Sequence, residues 1–422
     1  MSKSICVIGL GYIGLPTASM FATHGYKVTG VDVNEQIIQK INNGSSHIEE
    51  KGLNTLVRAA VLSQNLTASK MPSEADAFII CVPTPINTSN CTSNLNYVRS
   101  AAESIVPYLR EGALVILEST SPPGTVNDLL IPIIEKSGFK AGSELFIAHC
   151  PERVLPGKIL EELVQNDRII GGINEESAKR ARDLYRSFVS GNIYLTDSTT
   201  AEMCKLMENT YRDVNIALAN ELTIISEKLG INIWEAIELV NKHPRVNIHQ
   251  PGPGVGGHCI PVDPWFIVEA APEEARLITL SRHINDGMAE YLQKIIEETI
   301  GNTGTIAIFG VAYKGNVDDA RETPSLNLAE LLLSSGYDVR FHDPQVKNFK
   351  YKLDDFCSSV DGADMIVVVT DHNEYKNIDT EMINKFSEIM NEKNIIDTRN
   401  CLYHELWKKS GFNVRVLGNS PK

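Results

Sequence analysis

The sequence predicts an α/β protein with two doubly wound sheets joined by a long central helix. Three observations lead there. Residues 4–33 read as strand, glycine turn, helix and strand: the run Ile5–Ile8, the turn Gly9-Leu-Gly11-Tyr12-Ile13-Gly14, a helical-period stretch Leu15–His24, and Lys27–Val31 closing on Asp32. Residues Ala201–Leu229 contain neither Gly nor Pro and carry apolar residues at helical spacing over about eight turns. Finally, the last third of the chain echoes the first. Thr305–Phe309 with the turn at Gly310–Gly315 parallels Ser4–Gly14, Tyr337–Asp343 parallels Tyr26–Asp32, and Ala363–Val369 parallels Ala75–Cys81.

Taken in order, further strand-like runs follow at Ala77–Val82, Leu114–Glu118 and Leu145–His149, each separated from the next by helical sequence. That alternation implies a parallel sheet covered on both faces. The pattern changes near Thr199. The long helix is followed by a second helical segment, Ile233–Asn241, then by an irregular Pro/Gly-rich stretch, His243–Pro264, and helix-like sequence resumes over Glu273–Ile300. The expected organisation is a Rossmann-like domain over 1–198, a helical region over 199–300, and a second Rossmann-like domain over 301–422.

The chain has 422 residues, 43% hydrophobic and 22% charged, which suits a folded globular protein. Its 39 basic against 53 acidic side chains give a net charge of −14, the opposite of a nucleic-acid binder. Eight cysteines are scattered without any C-x-x-C pair, so neither a zinc site nor a disulfide framework is expected, and no metal. The longest apolar runs are too short to span a bilayer, and the N-terminus enters a strand at once rather than a signal-peptide pattern. These features predict a cytoplasmic protein with no membrane partner.

The first turn carries the sharpest cofactor signal. Gly9 permits the tight turn, Gly11 lets backbone approach a pyrophosphate, and Gly14 lets helix pack on strand, while the helix N-terminus offers N–H groups to phosphate. Asp32, 18 residues after Gly14, is placed to accept from both ribose hydroxyls and would repel a 2′-phosphate, so NAD is favoured over NADP. In the second Rossmann-like segment, Tyr313-Lys314-Gly315 replaces the triple glycine. Lys314 at a strand-to-helix turn, with Asp318, Asp319 and Arg321 close behind, suits a different diphosphate or, on the plainer reading, only a solvated surface.

The run Pro251-Gly-Pro-Gly-Val-Gly256-Gly-His258-Cys259-Ile-Pro-Val-Asp263-Pro-Trp265 is dense enough in glycine for backbone to crowd against a ligand. A Cys beside backbone N–H groups and cations can act as a thiolate, whereas an inert buried thiol is the bland alternative. Lys205 and Asn209 stand four apart and share a helix face. Glu152 and Arg153 follow a strand end, where open α/β sheets bind ligands, or else form a surface ion pair.

Together these segments resemble the UDP-glucose/GDP-mannose dehydrogenase family over essentially the whole chain. The matching landmarks are Gly9–Gly14, Val82-Pro83-Thr84-Pro85, Glu118-Ser-Thr120-Ser121, Pro151-Glu152, Lys205-Leu-Met-Glu-Asn209, Gly256-Gly-His-Cys259 and Tyr313-Lys314. Within it, His149–Gly157 and Pro253–Trp265 look most like the branch that oxidises UDP-N-acetyl-D-mannosamine. Val262 stands where the UDP-glucose branch usually has Lys.

The resemblance implies a twofold oxidation at the sugar C6, alcohol to carboxylate, using two NAD. It implies Cys259 as the nucleophile that traps the aldehyde and carries a thioester, with Lys205 and Asn209 stabilising the oxyanion. Asp263 would hold Lys205 or water, Glu152 would assist hydrolysis, and Thr120 would place the water. Tyr12, Ile13, Pro83, Thr84 and Thr120 would join the glycines and Asp32 around the cofactor. Arg153, Val154, Gly256, His258, Tyr313, Lys314 and Arg321 would join Lys205 and Asn209 around the UDP-sugar. Arg245 would reach it from a neighbouring subunit, which implies a homodimer built on the long helix.

Competing expectations are a two-electron hydroxyacid-type NAD dehydrogenase, which would not need the Cys259 loop, and a non-catalytic nucleotide-sugar sensor, which would have lost a chemical position. UDP-N-acetyl-D-glucosamine is the alternative sugar. One further expectation concerns Cys91, in a polar loop after a sheet strand of the first domain: a disulfide with Cys259 would be an oxidative off-switch, against the reading of an unpartnered exposed thiol.

Overall fold

The computed structural model describes residues 3–87, 89–155 and 157–419. Thr88 of the polar loop and Pro156 of the His149–Gly157 segment therefore lie outside the described residues. The chain divides into two compact units: residues 1–208 with 265–272, and residues 209–264 with 273–422. Residues 198–208 of the long helix, Ser198–Leu229, belong to the first unit and the remainder to the second.

The first unit is built on an eight-stranded sheet. Its strands are β1 (Ser4–Ile8), β2 (Lys27–Val31), β3 (Leu66–Ser69), β4 (Ala77–Ile80), β7 (Leu114–Leu117), β8 (Phe146–His149), β9 (Arg168–Gly172) and β10 (Ile193–Asp197). The order across the sheet is β10-β9-β8-β7-β4-β1-β2-β3. A short hairpin, β5 (Ile86–Asn87) and β6 (Thr92–Ser93), stands apart from it.

Alternation along the central strands explains why they read as unbroken apolar runs. Ile5 and Val7 of β1, Ala77 and Ile79 of β4, and Leu114 and Ile116 of β7 join one apolar cluster. Their alternate neighbours Cys6 and Ile8, Phe78 and Ile80, and Val115 and Leu117 join the other. Both faces are therefore dry and covered by helices, the condition for a parallel central sheet. The first helix, Gly14–Thr23, buries Leu15, Ala18, Phe21 and Ala22 in the first of these clusters.

The sheet departs from the expected all-parallel pattern at one place. β9 runs antiparallel to β8, and β10 then runs parallel to β9. Strands β3 and β10 are partly exposed and carry Thr, Ser and Asp, and the largely buried β9 is bounded by Arg168 and two glycines, so none of the three shows a long apolar run in the sequence.

The second unit has a five-stranded, wholly parallel sheet of β11 (Thr305–Phe309), β12 (Asp338–His342), β13 (Met365–Val368), β14 (Asn394–Asp397) and β15 (Asn413–Val416), in the order β12-β11-β13-β14-β15. The echo in the sequence is thus an echo in topology. In each sheet the first strand lies between the second and a later one, so the crevice at the strand ends opens beside the first turn.

The helix-like sequence over Glu273–Ile300 forms two helices, Arg276–Asp286 and Met288–Ile300, meeting at Gly287. A further helix, Asp263–Ala270, begins where the Pro/Gly-rich stretch ends, with Pro264 in its first turn. Among the described residues no helix is long and apolar enough to cross a membrane.

Candidate active site

The first glycine turn is shaped by contacts a side chain would break. Gly9 has φ +92°, and a Cβ there would run into the carbonyl of Cys81 on the neighbouring strand end. A Cβ on Gly14 would collide with the Gly9 carbonyl oxygen and lie 3.1 Å from the Cys81 Cβ. Gly11 differs: a Cβ there would meet no atom within 4 Å, so it faces open space.

Asp32 closes the turn from β2. Its carboxylate accepts from the Leu10 N–H at 3.1 Å and the Asn34 N–H at 2.9 Å, and the side chain remains partly exposed. The cradle fits NAD, with Gly11 open to a pyrophosphate and a carboxylate one strand away for ribose hydroxyls. Tyr12 is exposed at the turn, Ile13 and Thr84 are half-buried, and Pro83 is exposed on the segment after β4.

The Thr120 loop is pinned from the long helix. Glu202 accepts from the N–H groups of Gly124 (2.6 Å) and Val126 (2.8 Å), while Ser119 Oγ accepts from the Val82 N–H at 2.9 Å. Burial pushes the Glu202 carboxyl up to about 7. Thr120 itself is half-buried.

Glu152 and Arg153 do not form the ion pair that their adjacency suggests. Glu152 pairs with Arg168 at 3.0 Å, and Arg153 pairs with Glu208 at 2.6 Å while donating to the Asp167 carbonyl. Val154 packs against the apolar cluster beneath. His149, at the end of β8, is completely buried, and burial lowers its pKa to about 3.

In the second unit the Cys259 loop turns directly into a helix. The Cys259 carbonyl accepts from the N–H groups of Val262 (3.1 Å) and Asp263 (2.8 Å), so the cysteine sits one turn before the helix that Asp263 begins. Asp263 is buried and accepts from Asn209 Nδ2 at 2.5 Å, and Asn209 Oδ1 accepts from Arg212 at 2.7 Å. Both ends of the Asn209 amide are therefore oriented. Arg212 carries no motif and was not legible in the sequence.

The loop glycines also pack closely within the unit. A Cβ on Gly256 would meet the Glu322 carbonyl at 2.7 Å and the Tyr313 Cβ at 2.8 Å, and one on Gly257 would meet the Tyr313 ring at 3.2 Å. The Gly257 N–H donates to the Arg321 carbonyl. Glycine is needed there because the loop lies flat on the turn after β11, which brings Gly256 and Cys259 to Tyr313. Burial, then the charges of Asp319 and Cys259, raise the Tyr313 hydroxyl pKa.

Lys314 and His258 are exposed beside this junction. Arg321 is paired with Asp319 at 2.6 Å. Although burial opposes it, the hydrogen bonds from Arg321 hold Asp319 below the usual carboxylate range.

The echo of Asp32 is Asp343, and it is spent differently. Its carboxylate accepts from the N–H groups of Val311 and Ala312, from Gln345 and Val346, and lies 3.1 Å from His372 Nε2. Nothing of that carboxylate remains for a ribose. Arg245 is exposed in the segment after Ile233–Val240. Cys91 is half-exposed at φ +54° in the β5–β6 hairpin of the first unit, and Cys259 belongs to the second.

Comparison with known proteins agrees with this division of labour. The chain matches three models of one family: the UDP-glucose/GDP-mannose dehydrogenase NAD-binding domain over residues 3–189, the central domain over 199–287, and the UDP-binding domain over 307–404. It is 53% identical to a UDP-N-acetyl-D-mannosamine dehydrogenase of Methanococcus maripaludis, covering 99% of this chain and 97% of the relative. It is 44% identical to an NDP-N-acetyl-D-galactosaminuronic acid dehydrogenase of Ralstonia nicotianae, covering 94% and 96%. The solved UDP-D-ManNAc dehydrogenase of Pyrococcus horikoshii superposes with a TM-score of 0.90 at 42% identity, over 99% of each chain. The chain belongs to the UDP-glucose/GDP-mannose dehydrogenase family and is an NAD-dependent nucleotide-sugar dehydrogenase.

Proposed function

We propose that this enzyme oxidises UDP-N-acetyl-D-mannosamine at C6 to the uronate through a thioester on Cys259, as a step toward surface polysaccharide precursors. The observation that carries the chemistry is the placement of Cys259. It lies at the start of a helix, against Tyr313 of the UDP-binding turn, with a buried Asp263–Asn209 pair anchored four residues on. A plain two-electron dehydrogenase has no use for a thiol there. The sugar assignment is supported by relatives of that name matching over nearly the whole chain.

NAD, when bound on the Gly9–Gly14 turn, supplies the hydride acceptor for each of two oxidations. The chain's own residues do the rest. Asn209, oriented by Asp263 and Arg212, and Lys205 donate to the oxygen as charge develops on it. The Cys259 thiolate adds to the aldehyde carbon, giving a thiohemiacetal whose oxidation leaves a thioester, so the aldehyde never escapes. Glu152 takes a proton from water placed by Thr120 as the water oxygen bonds to the carbonyl carbon; the C–S bond breaks and the thiolate returns. Lys314, with Tyr313 and Arg321, holds the UDP diphosphate.

The same proposal includes a homodimer along the long helix. Tyr211, Leu218 and Ile225 recur at seven-residue spacing and stay 60%, 44% and 45% exposed, a seam suited to a second copy. Arg245 would then serve the partner's sugar. A cytoplasmic setting rests on the eight cysteines lacking any paired spacing.

The test is NADH formation over UDP-N-acetyl-D-mannosamine, UDP-N-acetyl-D-glucosamine and UDP-glucose, with wild type and Cys259→Ser. Two NADH per UDP-N-acetyl-D-mannosamine are expected, with acid production collapsing in Cys259→Ser while NAD binding persists. Equal activity on UDP-glucose would overturn the sugar assignment, and near wild-type acid from Cys259→Ser would overturn the thioester.

A further inference from the structure

Behind Glu152 lies a polar cluster centred on Arg168, a residue that belongs to no sequence motif. Arg168 opens β9, the strand that reverses direction against β8, and it is buried to 4% exposure. One guanidinium nitrogen lies 3.0 Å from Glu152 and donates to the Leu163 carbonyl; the other lies 4.0 Å from Glu118 and 3.7 Å from the Cys150 sulfur. Its cationic carbon stands 4.8 Å over the Tyr185 ring.

Glu118 is fully buried and accepts from the Tyr185 hydroxyl (2.5 Å), the Cys81 thiol (2.9 Å) and the Thr17 hydroxyl (3.4 Å). Cys81 is the residue against which Gly9 and Gly14 pack. The cluster therefore runs from the floor of the cofactor turn to Glu152.

Two carboxyl groups share one cation here, so their roles must differ. Burial, followed by the charge of Glu152, raises the Glu118 pKa. Three hydrogen-bond donors and full burial fix Glu118 as a wall of the cluster. Glu152 sits at its edge with one oxygen on Arg168 and the other accepting from the Arg153 N–H at 2.6 Å. A carboxylate held at both oxygens keeps one orientation, which proton abstraction from a placed water requires.

We infer that Arg168 is a positioning residue for the hydrolytic half of the reaction, holding Glu152 in the orientation that draws the proton from water as the thioester is cleaved. This rests on the reading of Glu152 as the base in that step. Bare helix or strand stability does not call for a buried arginine at the start of β9. A well-packed apolar side chain would serve stability as well as a buried ion pair does.

The experiment separates the two halves of turnover. After rapid mixing with NAD and UDP-N-acetyl-D-mannosamine, early NADH is followed by absorbance and the acyl group on Cys259 by intact-protein mass after acid quench. Glu152→Gln, Arg168→Met and Arg168→Lys are compared with wild type. In Glu152→Gln and Arg168→Met, early NADH is expected at the wild-type rate, with hydrolysis slowed on the order of 100-fold and acyl-enzyme accumulating. Arg168→Lys should restore part of the hydrolysis, because it keeps the charge but lacks the fork.

Equal losses in both halves, or wild-type hydrolysis in Arg168→Met, would overturn the inference. Should Arg168→Met fail to fold, Arg168→Lys decides: wild-type partitioning in that variant refutes the positioning role. If Glu152→Gln accumulates no acyl-enzyme, the reading of Glu152 itself fails. If it does and neither Arg168 variant does, only the role of Arg168 fails.

Discussion

Gly11 and Gly14 stand three residues apart in one turn, yet the structure gives them separate jobs that a pair of alanine substitutions should separate. In Gly14→Ala the new methyl collides with the Gly9 carbonyl oxygen, 3.0 Å from its carbon and 3.1 Å from the Cys81 Cβ. These atoms are backbone and a strand-end side chain in a buried position, so relief requires the first helix to lift off β1. Such overpacking costs on the order of 3 kcal/mol. For a unit of this size that corresponds to roughly 6–12 °C in Tm.

In Gly11→Ala the methyl meets nothing within 4 Å, so stability should change by less than about 0.5 kcal/mol. The methyl instead enters the space where the pyrophosphate must approach, and NAD affinity should fall at least ~10-fold, or about 1.4 kcal/mol. Thermal unfolding without cofactor and NAD titration by fluorescence measure the two effects independently. A Gly11→Ala protein that melts as low as Gly14→Ala, or that binds NAD like wild type, would refute the assignment of roles.

Asp32→Ala should weaken NAD by roughly 10- to 100-fold, through loss of charge-assisted hydrogen bonds, and should narrow the gap to NADP; comparable kcat/KM for both cofactors in the wild type would remove Asp32 from its role. Ile225→Glu places a charge in the middle of the exposed heptad seam and should shift the protein toward monomer in light scattering, and an unchanged mass would exclude that helix as the dimer contact. Burial lowers His149 to about 3, below its unfolded value of about 6.5. The folded chain thus refuses a proton that the unfolded chain takes up. This contribution is complete above pH 6.5 and is lost as pH falls toward 3, so urea denaturation of His149→Asn should show a shallower loss of stability between pH 7 and 5 than wild type. If Cys91 can pair with Cys259, mild peroxide should inactivate wild type reversibly by thiol and yield a Cys91–Cys259 peptide, whereas Cys91→Ser should not recover; the absence of that peptide would dismiss the switch.

The sequence by itself determined the two Rossmann-like sheets, the long helix and the cofactor turn, because each depends on short-range patterning. Runs such as Val7–Ile8 and Phe78–Ile80 must be apolar on both faces. Gly9, Gly11, Gly14 and Asp32 must occur at fixed spacing from a strand end. Family resemblance implied catalytic roles for Cys259, Lys205 and Asn209, which periodicity alone leaves as an ordinary thiol and a helix face.

Tertiary structure decided the partners. Glu152 and Arg153 are neighbours in sequence, but strand reversal at β9 delivers Arg168 to one, and the long helix delivers Glu208 to the other. Likewise, Asp343 and Asp32 occupy the same register of two echoing folds, yet backbone amides and His372 consume one carboxylate while the other stays partly exposed. Hydrogen bonds and ion pairs act over a few ångströms between groups far apart in the chain. No local pattern records them, and only the packed fold selects which pairs form.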